Sequence, residues 1–324
     1  MFFQRMLHKF IKCFWAILTY LQLVKNKTLN IVPVSVNYHF TRKCNYSCGF
    51  CFHTAKTSYV APLGDIKVAL RKLMLKGMKK LNLSGGEPFL YPELVGEICK
   101  FCKVDLNLES VSIVTNGSKV KESFFKKYGV YVDYIAVSVD SFDEETNINI
   151  GRGKGKHLIQ LDYVSQWCQQ YNIRFKLNTV VNRFNHLEDL SQNIALLNPF
   201  RWKCFQVLPV DTENVGQIAK RDCSEFLITD DEFGEFCRRH QHLPCFVPVS
   251  NVVMKNSYII LDEYLRFLNK GDFYKESESI LNVDDIDPLL QSTDYKHNMF
   301  IERGGYDWWT KRSACDSVDP ELDW

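Results

Sequence analysis

The chain has 324 residues, 46% hydrophobic and 24% charged, enough for one large or two ordinary domains with a substantial core. A formal net charge of +2 excludes bulk electrostatic attraction to nucleic acid as the basis of its function. Twelve cysteines, most of them scattered along a long chain, argue against a disulfide scaffold and for a reducing compartment with thiols packed as small hydrophobes.

Residues 1–24 open the chain with Phe3, Leu7, Phe10, Phe14, Ile17 and Leu21 recurring every three or four positions, while Arg5, Lys9 and Lys12 fall on another side. A basic amphipathic helix of this kind lies in the membrane interface rather than crossing it. Its least polar stretch, Cys13 to Leu21, is shorter than the roughly 20 apolar residues of a span. A signal peptide shares the basic start and short apolar run, but no small-x-small cleavage site follows. A helix packed on the protein's own core is the other alternative. The expectation is a membrane-associating helix and polar linker over residues 1–30.

The next segment, Pro33–Phe40, reads as a strand that delivers Thr41 and a loop carrying Cys44, Cys48 and Cys51. A C-x3-C-x2-C triplet offers three thiolates to a four-iron cubane and leaves the fourth iron open to a small molecule. Fe–S clusters with four protein thiolates are closed electron-transfer centres. The triplet, with the aromatic Phe50 before its last cysteine, resembles the radical S-adenosylmethionine (SAM) enzymes, in which that open iron chelates the methionine moiety of SAM. A zinc knuckle would need a fourth ligand, and no partner follows at finger spacing.

Beyond the triplet, helices expected over Ile66–Gly77, Glu93–Cys102, Lys121–Tyr128, His157–Tyr171 and His186–Leu197 alternate with strands. The strands are Lys80–Leu83, Ser110–Val114, Tyr134–Val139, Arg174–Val181 and Trp202–Val210. Six βα units in sequence predict an α/β fold, a parallel sheet closed or nearly closed into a partial (β/α)6 barrel over residues 31–240. Cys99 and Cys102 form a second C-x2-C, a candidate redox pair or cluster, but within a helical pattern. After residue 240 the pattern changes, and residues 241–324 read as a C-terminal extension covering the active site, or alternatively as a small separate domain.

Chemistry in such sheets gathers at the carboxyl ends of the strands. There Gly85-Gly86-Glu87-Pro88 follows a strand directly, where glycine lets backbone approach a ligand and bare carbonyls can hold an ammonium group. Asn116, Ser138 and Arg152 lie at or after later strand ends. Short polar groups suit ribose hydroxyls, and Arg152 can pair with a carboxylate. Lys80, Lys176, Arg201 and Lys203 project from strands, with Lys176 and Asn178 sharing one face of theirs and Arg201 and Lys203 one face of the next. Four converging cations in a barrel mouth suit a triphosphate, and the absence of a P-loop makes a nucleotide a substrate rather than an energy source.

Ser35–Ser58 around the triplet, Leu83-Ser-Gly-Gly-Glu-Pro-Phe89, Asn147–Gly155, Val180-Val-Asn-Arg-Phe-Asn185, Ser257-Tyr-Ile-Ile-Leu-Asp-Glu-Tyr264 and the final Leu322-Asp323-Trp324 together resemble the viperin family of antiviral radical SAM proteins. The resemblance implies conversion of CTP to 3′-deoxy-3′,4′-didehydro-CTP, a chain terminator for viral polymerases, by a 5′-deoxyadenosyl radical that takes the C4′ hydrogen. It implies a [4Fe–4S] cluster on Cys44, Cys48 and Cys51. SAM would be held by Phe50, Gly85, Gly86, Glu87, Asn116, Ser138 and Arg152, and CTP by Asn37, Lys80, Lys176, Arg201, Lys203 and Tyr258. Tyr258 is also the candidate hydrogen source for the last step. The same resemblance implies the cytosolic face of the endoplasmic reticulum and lipid droplets as location, and cytosolic iron–sulfur assembly machinery as a partner reading Leu322-Asp323-Trp324. A radical SAM peptide-modifying enzyme and a membrane-bound antiviral adaptor are the alternatives.

Overall fold

The computed structural model describes residues 31–211, 213–269 and 275–308. The amphipathic helix expected within residues 1–24 and the terminal Leu322-Asp323-Trp324 lie outside them. Contacts divide the chain into residues 1–31 and residues 32–324, and all described elements belong to the second unit.

Six strands lie side by side and parallel in chain order: β1 (Ser35–His39), β2 (Lys80–Ser84), β3 (Ser110–Thr115), β4 (Tyr134–Ser138), β5 (Arg174–Val181) and β6 (Arg201–Gln206). Between them run α1 (Leu63–Leu75), α2 (Pro92–Val104), α3 (Glu122–Tyr128), α4 (Glu144–Ile150), α5 (His157–Gln170) and α6 (Ser191–Leu197). The chain goes on through α7 (Asp230–His240), β7 (Phe246–Val249), α8 (Asn251–Asn256), β8 (Ile259–Leu261), β9 (Arg266–Asn269) and β10 (Lys275–Ser279). Two short helices follow, α9 (Asp287–Gln291) and α10 (His297–Glu302).

The residues after 240 join the same sheet at both of its edges. β7 pairs parallel with β6, β8 pairs parallel with β1, and the antiparallel β9 and β10 extend beyond β8. Among the described residues the sheet stays open, with β7 and β10 as its edges. The fold is therefore the partial barrel of the sequence reading.

Strand periodicity sorts the side chains. Ser35, Asn37 and His39 of β1 and Lys80, Asn82 and Ser84 of β2 line an interior cavity. The alternate residues Val36, Tyr38, Leu81 and Leu83 have no exposure, like Ile66, Leu70 and Leu73 of α1 and Val95 and Ile98 of α2. Each fully buried Leu or Ile contributes about 1.5–3 kcal/mol, so this layer between sheet and helices carries much of the fold's stability. Cys99 and Cys102 are buried on the same face of α2, and burial pushes both thiols up, which makes them packing groups.

Two elements differ from expectation in ways that shape the site. Helix α6 starts at Ser191, not His186, because residues 182–190 form a turn anchored by buried Asn185. Its Nδ2 donates to the Asp140 carbonyl at 2.7 Å, and its Oδ1 accepts from the Asn182 amide at 2.8 Å. Helix α4 was not expected. It is N-capped by Asp143, whose carboxylate accepts from the Thr146 amide, and it stops at Gly151 in the left-handed region at φ +88°. That stop brings Arg152 back to the cysteine loop.

Candidate active site

The cysteine loop is clamped from two sides. On one side the Gly86 amide donates to the Thr41 carbonyl at 2.6 Å, and the Glu87 amide to the Lys43 carbonyl at 2.9 Å. A Cβ on Gly85 would lie 2.4 Å from the Thr41 oxygen, and one on Gly86 2.0 Å from the Lys43 oxygen. On the other side the Ser47 and Gly49 amides donate to the carbonyls of Gly151 and Ile150, both at 3.1 Å. The glycine pair is therefore needed first by the protein's own loop.

Glu87 is fully buried and wholly engaged within the chain. Its carboxylate accepts from the Phe89 amide, the Thr115 hydroxyl and the Asn116 amide at 2.6–2.9 Å, tying the end of β2 to the end of β3. Burial raises its pKa, and these hydrogen bonds oppose the rise. Its side chain is thus a positioning group, leaving the backbone of this turn to face a ligand. Asn116 sits with Nδ2 3.8 Å from the Cys44 sulfur and 3.1 Å from the Asn45 side-chain oxygen. Arg152 already has a carboxylate: its Nε pairs with buried Asp140, and its guanidinium lies 5.7 Å from the Phe50 ring centroid. Its charge stands near Cys48 and Cys44.

Cys44 is exposed, Cys48 and Cys51 are half-buried, and all three are free thiols. Burial pushes the Cys48 thiol up to about 12, against the pull of Arg152, and raises Cys44 and Cys51 as well. Metal binding deprotonates such thiols outright. Three sulfurs on one short clamped loop, next to glycines that face a cavity, fit a cluster with one open iron.

That cavity, about 270 Å³, runs through the inside of the sheet. At the carboxyl ends of the strands it is lined by Phe50, Cys51, Ser84, Gly85 and Ser138. At the other end stand Lys80, Lys176, Arg201, Lys203, Tyr258 and Arg303. Lys80 and Arg201 open their strands, Lys176 and Lys203 lie two residues in, and Arg303 comes from after α10, so the cations gather deep in the barrel and opposite the cysteine loop, not at the mouth as expected. Register explains their meeting: Lys176 pairs with Arg201 and Asn178 with Lys203 on neighbouring strands. Asn37 lines the same wall and donates from Nδ2 to the Ile259 carbonyl at 3.2 Å.

No Asp or Glu is among the described residues lining this cavity. Lys176 Nζ rests 3.3 Å from the Tyr134 ring centroid, and Lys203 Nζ donates to the Tyr258 hydroxyl at 3.1 Å. Burial, then the charges of Lys203, Arg201 and Arg303, pushes Lys80 down to about 7. Lys176 and Lys203 are lowered for the same reasons, burial first. Cations packed this closely, with Asp307 near Arg201 as a partial offset, favour binding of an anion.

Arg303 was missed by the sequence reading. It follows α10, its guanidinium lies 3.9 Å from the Tyr258 ring centroid, and its buried Nε has no hydrogen-bond partner. The following Gly304-Gly305 pair also lines the cavity. Trp308 covers Lys80 at 5.6 Å, and Asp307 lies 3.8 Å from Arg201, closing this end. An Arg-Gly-Gly run just after a helix was the available signal.

The profile of the radical SAM superfamily matches residues 38–195. The chain is 52% identical over 286 residues to the S-adenosylmethionine-dependent nucleotide dehydratase RSAD2 of Siniperca chuatsi, covering 87% of this chain and 80% of that one. It belongs to that family. The enzyme of the same name from Danio rerio is 48% identical, covering 90% of this chain and 81% of that one. The viperin resemblance drawn from the motifs agrees with both. As a radical SAM enzyme the chain uses a [4Fe–4S] cluster and SAM, for which the cysteine loop and the adjoining end of the cavity are fitted. Among solved structures, Streptococcus suis SuiB bound to S-adenosylmethionine shares the fold at TM-score 0.63 and 16% identity, covering 91% of this chain and 72% of that one.

Proposed function

We propose that the chain converts CTP to 3′-deoxy-3′,4′-didehydro-CTP with loss of water. The observation that carries this is the cavity, without a carboxylate among its described lining residues, that has Cys51 and Gly85 at one end and five cations, Lys80, Lys176, Arg201, Lys203 and Arg303, at the other. A triphosphate neutralises those cations by charge-assisted hydrogen bonds, and so directs the ribose toward the cysteine end. When bound, the reduced cluster and SAM supply a 5′-deoxyadenosyl radical at that end. Cys44, Cys48 and Cys51 hold the cluster. The turn at Gly85–Glu87 with Phe50, Asn116, Ser138 and Arg152 frames SAM, and the cation wall with Asn37 and Tyr258 fixes which ribose carbon faces it. This reading also assigns the last hydrogen to Tyr258, whose hydroxyl accepts from Lys203 at 3.1 Å.

The test is anaerobic: reconstituted protein, SAM, dithionite and each nucleoside triphosphate in turn. Formation of 5′-deoxyadenosine should be fastest with CTP, and a Cys51→Ala protein should form none. A rate with CTP no greater than without nucleotide sinks the proposal. It would leave the peptide-modifying or adaptor reading.

The same reading gives the protein an antiviral role at the cytosolic face of the endoplasmic reticulum and of lipid droplets, held there by residues 1–24, whose apolar stripe and basic side support interfacial binding. Deleting residues 1–24 should move the protein from membrane to soluble fractions. The final Leu322-Asp323-Trp324 is read by iron–sulfur assembly machinery. Deleting Trp324 should lower iron content in cells with the fold retained, and unchanged iron would remove this assignment.

A further inference from the structure

We propose that the face around Cys44 is the docking surface for an acidic, low-potential, one-electron carrier protein with a flavin or Fe–S centre. This rests on the reductive chemistry proposed above. Three loops meet there: residues 41–51, 116–121 and 151–157. Asn45 Nδ2 donates to the Ser118 hydroxyl at 2.8 Å, and Ser47 donates to the Gly151 carbonyl at 3.1 Å. The Gln160 side chain, one turn into α5, donates to the Val120 carbonyl at 3.1 Å and so joins the second and third loops.

Charge is distributed unevenly over these loops. They contain Arg42, Lys43, Lys119, Lys121, Arg152, Lys154 and Lys156, and no Asp or Glu. Both arginines are buried and matched within the chain, Arg42 by Glu213 and Glu263 and Arg152 by Asp140. The five lysines are exposed. A groove lined by Lys119, Lys121, Tyr163 and Trp167 adjoins them, with the two aromatic rings stacked at 5.9 Å. Exposed cations beside amphipathic rings are the complement of an acidic protein face.

Cys44 decides which acidic partner. It is the exposed member of the triplet, while Cys51 faces the cavity that SAM and substrate occupy. Electron transfer weakens steeply with distance, so a carrier must approach the cluster from the outer side, where Cys44 and the lysines stand together. In the step, one electron leaves the carrier, which is oxidised by one equivalent, and enters the cluster, which is reduced by one. No atom moves. RNA or an anionic membrane would use the lysines but would have no use for an exposed cluster ligand.

The probe is a reduced acidic flavodoxin with the reconstituted holoenzyme, SAM and CTP, run beside dithionite. Lys119→Glu/Lys121→Glu and Lys154→Glu/Lys156→Glu proteins should each show flavodoxin-driven 5′-deoxyadenosine formation and flavodoxin affinity reduced about tenfold at low salt. Dithionite-driven turnover, iron content and circular dichroism should match the unaltered protein. Milder Lys119→Gln/Lys121→Gln proteins, with smaller losses, guard against misfolding of the reversals. Unchanged flavodoxin affinity and flavodoxin-driven rate overturn the proposal, as does loss confined to RNA or anionic-vesicle binding. If dithionite with CTP yields nothing in the unaltered protein, the CTP reading fails, and the affinity measurement still decides the docking surface.

Discussion

Lys80 shows what the cavity is prepared for. Its amine, driven down to about 7, is largely neutral at pH 8 in the unliganded protein. An incoming triphosphate stabilises the charged form, so CTP binding near pH 8 should take up protons, and affinity should fall as pH rises above 7. Calorimetry in buffers of different ionisation enthalpy reads this directly, and proton release on binding would contradict it. The sign for stability is opposite to that of a paired lysine. The unfolded chain holds this proton up to its ordinary pKa near 10.5, whereas the folded chain gives it up at about 7. Stability of the unliganded protein should therefore rise with pH across that window. Lys176→Ala, Arg201→Ala and Arg303→Ala should each weaken CTP binding by about tenfold or more, as the loss of one charge-assisted contact implies, while sparing SAM binding. Titration calorimetry with each ligand separates the two.

At the scale of elements, the end of β2 and the cysteine loop behave as one object. Gly86→Ala would put a Cβ 2.0 Å from the Lys43 oxygen, so the loop must shift. Iron content after reconstitution should fall by more than half, with circular dichroism of the cluster-free protein little changed. Glu87→Ala strands the buried Thr115 hydroxyl and the Asn116 and Phe89 amides, and should cost about 1–3 kcal/mol per unsatisfied group in denaturant unfolding of the cluster-free protein. The triplet and its glycine turn were legible because both are short and local. The strands were legible because Leu81 and Leu83 alternate with Lys80, Asn82 and Ser84, and Val111 and Ile113 with Ser110 and Ser112. The duty of the glycines was not, because it depends on Thr41 and Lys43 pressing against them, a contact that no spacing encodes. The start of α6 was misplaced because Asn185 spends its hydrogen bonds on Asp140 and Asn182, and so holds the turn open.

Across the whole molecule, topology completes what periodicity begins. Lys176 and Asn178, or Arg201 and Lys203, could be placed on shared faces from a period of two. Lys80 joins them only because the sheet curves, and Arg303 only because α10 returns beneath the barrel. The added strands β7 and β8 flank the six parallel strands on opposite sides, so residues after 240 brace both sides of the cavity. Saturating CTP should stabilise the protein by about 2.7 kcal/mol at a hundred times its dissociation constant, visible as a raised melting temperature. Arg303→Ala should lose most of that gain at the same concentration, and an undiminished shift would remove Arg303 from the site.

The order of the two sites along the chain has a consequence for synthesis. The cysteines and their clamps at Gly86, Glu87 and Gly151 lie in the first half of the polypeptide, and the remaining braces, Glu213 and Glu263 on Arg42 and Asn214 on the Phe50 carbonyl, are made before β9. The cation-lined end is finished only when Arg303 and Trp308 arrive. A chain still emerging from the ribosome, or one cut short after β9, can own every residue that contacts the metal and still have no floor for the nucleotide. Radical-generating parts and substrate-retaining parts are thus separated in time, and a truncated product would resemble an igniter without a chamber.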